Sequence, residues 1–291
     1  MNSPGITRCG NKEFRWGERT FVMGIINLSP DSFSGDGVTE LEVAVEQARC
    51  FVSQGADILD IGGESTRPGF ASVSVEEEIK RVVPVIEKLA AEITVPISID
   101  TSKSEVAREA LKAGASVLND VWGLKRDPKL GELAAKNNVP IILMSNQRDK
   151  GGYDSKIKRD TSYYEDVMGE VTSFLKQSVD TALKLGVPRG NIILDPGIGF
   201  GKTWQQDLEI IRRLHELKVL GRPILVGASR KSFIGKVLEV TADDRKEGDA
   251  AVVAISIAGG ADIVRVHDVK EMVRVCKISD AIIRRDAKSQ P

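Results

Sequence analysis

Four polar side chains in this 291-residue chain have the chemistry to bind a flat, nitrogen-rich ring together. Asp100 and Asp195 are carboxylates, which accept hydrogen bonds from N–H groups. Asn119 adds an amide that donates and accepts, and Lys231 adds an ammonium that donates. This combination matches the edge of a guanine-like or pterin-like heterocycle. The competing interpretation is an Asp–Lys pair that only braces the fold, since buried polar groups need partners.

A second set of residues is suited to an anion. Arg265 and His267 lie two positions apart in one apolar run, so their side chains share one face of a strand. Together they can contact a phosphate or pyrophosphate. The other histidine, His215, lies in a charged helical segment and is predicted at the surface.

Both sets end short apolar runs that predict eight β-strands. The runs are too short for helices, and their nearly continuous hydrophobicity indicates strands buried on both faces, as in parallel sheets. They are FVMGIIN (21–27), ADILDIG (56–62), VPISIDT (95–101), ASVLNDV (115–121), VPIILM (139–144), NIILDPG (191–197), PILVGAS (223–229) and DIVRVHD (262–268).

Segments of helical periodicity separate these runs and carry start and stop signals. Capping boxes, a hydroxyl followed three residues later by Glu, are predicted at Thr39 with Glu42, Ser74 with Glu77, and Ser102 with Glu105. Helix stops are predicted at Gly55, Gly114 and Gly186. Eight strand–helix units favour an α/β (β/α)₈ TIM barrel, and an open doubly wound sheet stays the alternative.

We predict a single domain. Residues 21–283 form the barrel, residues 1–20 a short N-terminal segment or hairpin, and residues 284–291 a polar tail. The active site of such a barrel lies at the C-terminal ends of its strands, where the ring-binding and anion-binding residues fall. Strand five offers Met144 and Ser145 at this end.

Composition excludes several classes of protein. The chain has 41 Lys and Arg against 42 Asp and Glu, so no bulk charge attracts it to nucleic acid or an anionic membrane. Its three cysteines are too widely spaced for a zinc motif and odd in number, which predicts reduced thiols. Without an 18-residue apolar run or an apolar N-terminal segment, the chain is expected in the cytoplasm.

Three loops are expected to border the site. The Gly-, Ser- and Pro-rich segments 27–37 and 62–72 are predicted to close over it as lids. The segment DPGIGFGKT (195–203) is not a phosphate-binding P-loop, because three residues rather than four separate Gly197 from Gly201. Its glycines let the backbone approach a flat ligand, and Phe200 offers a ring face.

Seven ordered motifs between about Val22 and Val269 resemble those of the dihydropteroate synthases, a folate-pathway family of pterin-binding (β/α)₈ enzymes. They are NLSPDSFSGDG, DIGGESTRPG, SIDTSK, LNDV, ILDPGIGFGKT, GASRKSFIG and RVHDV. The resemblance implies a transferase that condenses (7,8-dihydropterin-6-yl)methyl diphosphate with 4-aminobenzoate to 7,8-dihydropteroate and pyrophosphate. It also implies Mg²⁺ as cofactor and a homodimer.

The matching motif positions imply a role for each group. The pterin would be bound by Asp100, Asn119, Met144, Asp195, Gly227 and Lys231. The diphosphate would be bound by Asn27, Thr66, Arg67, Arg265 and His267, with Asn27 also a ligand of Mg²⁺. The 4-aminobenzoate pocket would comprise Phe33, Arg67, Pro68, Phe200 and Ser232.

We hypothesise an order of steps for this reaction. The diphosphate departs first, its charge neutralised by Mg²⁺, Arg265 and His267, and a resonance-stabilised pterin cation remains. Asp31 would stabilise that cation until the amine attacks. The catalytic set is therefore Asp31, Arg67, Lys231, Arg265 and His267.

The chain departs from the family pattern at three places. The family commonly has Met-His-x-x-Gly after strand five, but here Met144 is followed by Ser145. The residue four after Thr203, often Asn, is Asp207, and Phe70 stands where many relatives have a small residue. Phe70 and the charged loop from Gln147 to Lys150 lie where 4-aminobenzoate analogues would bind, so the response to sulfonamides stays open.

Two other functions stay open. A pterin-dependent methyltransferase of the same fold would need the ring-binding residues but no diphosphate site, and Arg265 and His267 argue against it. A catalytically silent barrel would bind only a pterin or a protein partner, and the lids and Lys231 argue against that. The small-residue run AVVAISIAGGA (251–261) suits tight helix packing, either within the barrel or at a dimer face.

Overall fold

A barrel of eight parallel strands forms the centre of the molecule. The computed structural model describes residues 5–28, 40–65, 72–148 and 164–284. An antiparallel hairpin of β1 (Ile6–Cys9) and β2 (Lys12–Arg15) comes first. The barrel strands follow as β3 (Phe21–Asn27), β4 (Ile58–Gly62), β5 (Ile97–Asp100), β6 (Val117–Asp120), β7 (Ile141–Met144), β8 (Ile192–Asp195), β9 (Leu225–Val226) and β10 (Ile263–Val266). Each predicted run contains one of them, and the predicted hairpin is confirmed.

The sheet closes on itself. Hydrogen-bonded neighbours run from β8 through β7, β6, β5, β4, β3 and β10 to β9. A parallel bridge between Leu194 and Ile224 joins β8 to the residue before β9, and the Leu194 N–H donates to the Pro223 carbonyl at 2.9 Å. The two ends of the sheet therefore meet, so the barrel prediction is confirmed and the open sheet is wrong.

Helices cover the outside of the barrel. They are α1 (Glu40–Gln54), α2 (Val75–Glu92), α3 (Ser104–Ala113), α4 (Lys129–Asn137), α5 (Val167–Lys184), α6 (Trp204–Arg212), α7 (Ser232–Leu238), α8 (Lys246–Ala258) and α9 (Val269–Ile283). Their apolar faces pack on the outward side chains of the strands in one continuous core. None of the helices in the described ranges has both the length and the apolar character needed to cross a membrane.

The helix signals have mixed outcomes. Ser74 caps α2, and its hydroxyl accepts from the Glu77 N–H at 3.2 Å. The capping box predicted at Ser102 is wrong, because α3 begins at Ser104, whose N–H donates to the Asp127 carboxylate at 2.9 Å. The predicted stops Gly55, Gly114 and Gly186 all adopt positive φ angles. Thr39 lies outside the described residues.

An apolar floor fills the lower half of the barrel. Inward side chains from the strands form one buried cluster with three residues of the N-terminal segment: Phe21, Met23, Ile58, Val117, Ile142, Ile193, Leu225 and Ile263 with Cys9, Phe14 and Trp16. The Trp16 ring meets Phe21 edge-on, and its Nε1–H donates to Thr7 Oγ1 at 2.9 Å. The Thr7 hydroxyl donates in turn to the Gly190 carbonyl at 2.6 Å. The hairpin therefore seals the end of the barrel opposite the predicted site.

The three thiols occupy different environments. Cys9 and Cys276 are buried, and burial raises the pKa of each thiol to about 12. Cys50 is exposed on α1. All three are free, as the spacing predicted.

Replacing Trp16 tests the hairpin as part of the core. Trp16→Ala should lower the free energy of unfolding by about 3–5 kcal/mol, because the indole is 3% exposed and a cavity would remain in the floor. Val219→Ala, at a side chain that is 79% exposed, serves as the control and should change it by less than about 0.5 kcal/mol. Equal urea unfolding curves for the two variants would contradict a structural role for the hairpin.

Candidate active site

Polar side chains line the barrel above the apolar floor. Successive inward positions lie two residues apart along a strand, so the strand that places Ile58 in the floor places Asp60 above it. The same step leads from Val117 to Asn119 on β6 and from Ile193 to Asp195 on β8. Further polar inward groups come from β5 and β10, namely Ser98, Asp100 and Arg265. The upper half of the barrel is thus a polar cavity at the C-terminal ends of the strands.

Arg265 is the centre of this polar layer. Its Nε donates to Asp60 Oδ2 at 2.6 Å, and its Nη2 donates to Asp100 Oδ2 at 2.7 Å. Asn119 Nδ2 donates to the same Asp60 oxygen at 3.0 Å. Burial raises the pKa of Asp100, and the neighbouring guanidinium opposes that rise. Two of the five N–H donors of Arg265 therefore bind carboxylates of the protein.

Asp60 is a site residue that the sequence analysis missed. Its carboxylate is fully buried, and Oδ1 has no hydrogen-bond partner among the described residues. Strand periodicity is the signal that identifies it. Asp60 lies inside the run ADILDIG, at the inward position two residues before Gly62, and not at the polar end of the run. A charged residue at an inward position within such a run indicates a buried ion pair.

Buried side chains fix the loop after β8. Lys202 Nζ donates to the carbonyl oxygens of Ser145 at 3.2 Å, Gly197 at 2.8 Å and Phe200 at 3.0 Å. Desolvation lowers the pKa of Lys202 to about 8. Asp195 Oδ1 accepts from the Gly197 N–H at 2.7 Å. The loop that follows Asp195 is therefore held in one shape by charged groups beneath it.

Asp207, one of the departures from the family pattern, belongs to the same loop support. It is 2% exposed, and its Oδ1 accepts from the Gly199 N–H at 2.8 Å. Burial raises its pKa to about 6, against the effect of that hydrogen bond and of Lys202. A carboxylate here adds negative charge beside the buried Lys202 and the half-buried Lys231.

Two cations lie against the Phe200 ring. Lys231 Nζ is 4.4 Å from the ring centroid, and the Arg148 guanidinium carbon is 4.6 Å from it. Phe200 is itself buried, in a cluster with Val121, Trp122 and Met144. Lys231 is half-buried, and desolvation together with Arg265 lowers its pKa to about 8. Arg148 of the charged loop thus contacts the ring predicted to border 4-aminobenzoate, and the Gln147 backbone N–H donates to the Phe200 carbonyl at 3.4 Å.

The remaining predicted residues surround the mouth. His267 Nδ1 is 3.1 Å from Ser229 Oγ, and Ser232 begins α7 with an exposed side chain. Asn27 ends β3 in register with Gly62 of β4. A side-chain methyl at Gly227 would lie 3.8 Å from Asp195 Oδ2 and from Arg265, so this glycine leaves room between the two charged groups. The predicted residues Asp31, Phe33, Thr66, Arg67, Pro68, Phe70 and Lys150 lie outside the described ranges.

No cluster of metal-binding side chains is found in the described ranges. No three His, Cys, Asp or Glu groups there are arranged to hold an ion. The amide oxygen of Asn27 is still a suitable ligand for Mg²⁺. This ion keeps several waters and is bound through only a few protein oxygens together with the phosphate oxygens of a substrate. The fit therefore depends on a phosphate-bearing ligand.

Comparisons with known proteins agree with this geometry. A family profile described as pterin binding enzyme matches residues 23–267. A dihydropteroate synthase from Clostridium beijerinckii is 48% identical over 280 residues, which cover 96% of this chain and all of that protein. A solved dihydropteroate synthase from Clostridium difficile, obtained in the presence of pteroic acid, is 48% identical with a TM-score of 0.86 and covers 93% of this chain and 99% of its own.

A second solved structure matches the whole length. The dihydropteroate synthase of Xanthomonas albilineans with 4-aminobenzoic acid is 38% identical, has a TM-score of 0.89 and covers 100% of both chains. The profile, the sequence identity and the shared barrel all indicate one assignment. The chain belongs to the pterin binding enzymes and, within them, to the dihydropteroate synthases.

Proposed function

We propose that the protein condenses (7,8-dihydropterin-6-yl)methyl diphosphate with 4-aminobenzoate to give 7,8-dihydropteroate and pyrophosphate. One observation carries the proposal: a sealed apolar floor beneath a polar layer of Asp100, Asn119, Asp195 and Arg265 at the open end of the barrel. A flat polar ring inserted there would bring N–H donors to the carboxylates. The membership of the family supports the same reaction.

The polar layer offers partners for both kinds of group on a pterin edge. The ring's amino group and N3–H are donors, which suit the buried carboxylate of Asp195. The ring oxygen and N5 are acceptors, which suit the ammonium of Lys231. Because Lys202 and Asp207 hold the loop between these two residues, they would keep donor and acceptor at a fixed separation. Asp100 and Asn119 would contact the ring from β5 and β6, and Met144 would face it from β7.

In the proposed reaction the carbon–oxygen bond between the exocyclic methylene and the diphosphate breaks first. Both electrons leave with the diphosphate, and the nitrogen lone pair of 4-aminobenzoate then forms the carbon–nitrogen bond and loses a proton. Arg265 and His267 would stabilise the charge of the departing group, and buried carboxylates favour the positive charge left on the pterin. Asp31, Thr66 and Arg67 stay predictions for the diphosphate and the cation, and Phe33, Pro68 and Ser232 for the aminobenzoate pocket.

Mg²⁺ is part of the proposal. Asn27 would hold it at the end of β3 beside the diphosphate, where it would neutralise charge on the leaving group. A cation bound mainly through substrate oxygens needs only this one amide from the described residues.

We also propose that the protein is a homodimer. Exposed apolar side chains lie on the neighbouring helices α8 and α9: Ile255 is 54% exposed, Ile278 62% and Ile282 71%. Ile278 and Ile282 are one helical turn apart, so they share a face of α9. A surface of this kind is typical of a protein–protein contact.

The reaction is tested by mixing the purified protein with both substrates and Mg²⁺ and measuring pyrophosphate and dihydropteroate. Both products should appear, and each should depend on all three additions. Binding of the pterin without product would favour the methyltransferase or the silent barrel instead.

Gly227→Ala should weaken binding of the pterin ring without lowering the stability of the fold. The added methyl meets only ordinary contacts at 3.8 Å, so stability should stay the same or rise by about 0.4–1 kcal/mol. The methyl nevertheless fills the gap between Asp195 and Arg265, and pterin binding measured by calorimetry should weaken by about 1–3 kcal/mol. Gly190→Ala, beside the hairpin at the other end, is the matched control. Unchanged pterin affinity in Gly227→Ala would place the ring elsewhere.

The charge of Lys231 should set an alkaline limit on activity. An ammonium with its pKa lowered to about 8 is present below that pH and lost above it, so kcat/KM should fall as pH rises through about 8. In Lys231→Arg the guanidinium stays charged, and the decline should move to higher pH whatever the size of kcat/KM. Lys236→Arg, exposed on α7, is the control. If kcat/KM of Lys231→Arg still declines near pH 8, the group that titrates there is not Lys231.

A further inference from the structure

A chain of hydrogen bonds connects helix α8 to the ends of β9 and β10. Asp249 on α8 is 1% exposed, and its Oδ2 is 2.8 Å from Ser229 Oγ. Ser229 Oγ is in turn 3.1 Å from His267 Nδ1 and accepts from the His267 backbone N–H at 3.3 Å. Three residues from three elements therefore form one continuous path, which ends on the imidazole at the barrel mouth.

The donors and acceptors along this path fix the direction of each hydrogen bond. Asp249 also accepts from the Arg230 backbone N–H, with Oδ1 at 2.8 Å and Oδ2 at 3.1 Å. A carboxylate only accepts, so the hydroxyl of Ser229 must donate to Asp249. That hydroxyl has one proton and two lone pairs. Its lone pairs are left for the backbone N–H and the ring nitrogen of His267, and the ring nitrogen must bring its own proton.

We propose that Asp249 and Ser229 are positioning residues that hold the neutral ring of His267 with its proton on Nδ1 and its lone pair on Nε2. The inference deepens the proposed function, on which its catalytic meaning rests, because His267 is a predicted diphosphate ligand. The ring would meet the diphosphate in one orientation. Ionised phosphate oxygens only accept hydrogen bonds, so Nε2 would take up a proton on binding, and its N–H would then donate to the diphosphate while Nδ1–H donates to Ser229.

Other contacts hold the Ser229 loop independently of Asp249. Arg245 Nη1 donates to the carbonyl oxygens of Arg230 at 2.8 Å and Lys231 at 3.2 Å. The Arg230 guanidinium binds Asp268 at 3.0 Å. Burial raises the pKa of Asp249, whereas the hydrogen bonds from Arg230 and Ser229 lower it. A substitution at Asp249 should therefore change which groups donate and which accept along the path, while the Ser229 loop keeps its position.

The test is the protonation state of one imidazole, read by long-range ¹H–¹⁵N NMR on the full-length protein. The chain has two histidines, so His215→Gln, at an exposed position, leaves His267 as the single imidazole. In this background the neutral ring should show a protonated Nδ1 and an unprotonated Nε2. In Ser229→Ala the acceptor is lost, and the ring should return to the Nε2–H form.

Asp249→Asn should invert the path. The asparagine oxygen must accept from the Arg230 N–H, which turns its NH₂ group toward Ser229 as a donor. The Ser229 hydroxyl then donates to His267 Nδ1, and the proton of the neutral ring moves to Nε2. Two controls should keep the Nδ1–H form. Asp244→Asn is exposed and makes the same change of charge, and Ser256→Ala removes a buried hydroxyl of α8 that has no hydrogen-bond partner among the described residues.

The outcomes separate this inference from the proposed function. An Nε2–H ring in the parent protein, or an unchanged ring in both Asp249→Asn and Ser229→Ala, would overturn the inference. Pyrophosphate affinity should fall about tenfold in these two variants, because the Nδ1–H of the protonated ring that binds the anion loses its acceptor, while affinity for the pterin ring is kept. Equal loss of both affinities would show a merely structural role. If the NMR signature is as expected but no dihydropteroate forms, the proposed function fails and the path stands.

Discussion

A guanidinium inside a protein must be matched by acceptors, and the placement of Arg265 imposes this requirement on the upper half of the barrel. Asp60 and Asp100 provide the matching carboxylates, and Asn119 uses the oxygen of Asp60 that Arg265 also contacts. Burying such charges costs solvation free energy, and their attraction offsets this cost only when the geometry of the pair is good. Here each partner is held in place by its own strand. The apolar floor and the hairpin beneath it keep water out of the closed end and leave the polar layer accessible from one side only.

Buried charged side chains also hold the loops at the mouth of the barrel in their conformations. Many of their backbone groups lie outside the regular hydrogen bonding of sheet and helix, and side chains bind them instead. Lys202 binds three carbonyls, Asp207 and Asp249 bind amides, and Arg245 binds two further carbonyls. Each of these side chains lies beneath a loop that carries a predicted ligand-binding residue. Rigid support of irregular backbone is what a site needs if its donors and acceptors are to stay aligned.

Much of this arrangement could be predicted from the residues alone. The eight strands were evident because strands buried on both faces are apolar throughout, and the polar residues at their ends followed from barrel geometry. Closure of the barrel could not be predicted, because it depends on pairing of the last strand, β10, with the first barrel strand, β3, which leaves no local pattern. The supports were missed for a similar reason: Lys202, Asp207 and Asp249 lie in or beside helices, where charged residues are usually solvated. The helix start at Ser104 was misjudged because its cap, Asp127, comes from a distant loop.

The hairpin has a consequence for the order in which the chain folds. Phe14 and Trp16 pack on the nearby Phe21, but their cluster with Cys9 is completed by side chains that come much later, among them Ile193, Leu225 and Ile263. Loop-closure entropy opposes such contacts until the intervening strands have paired, which makes them late events and slows folding. Until then two aromatic rings and a thiol stay exposed to solvent and to other chains, so the hairpin that seals the finished barrel is also an aggregation hazard during synthesis.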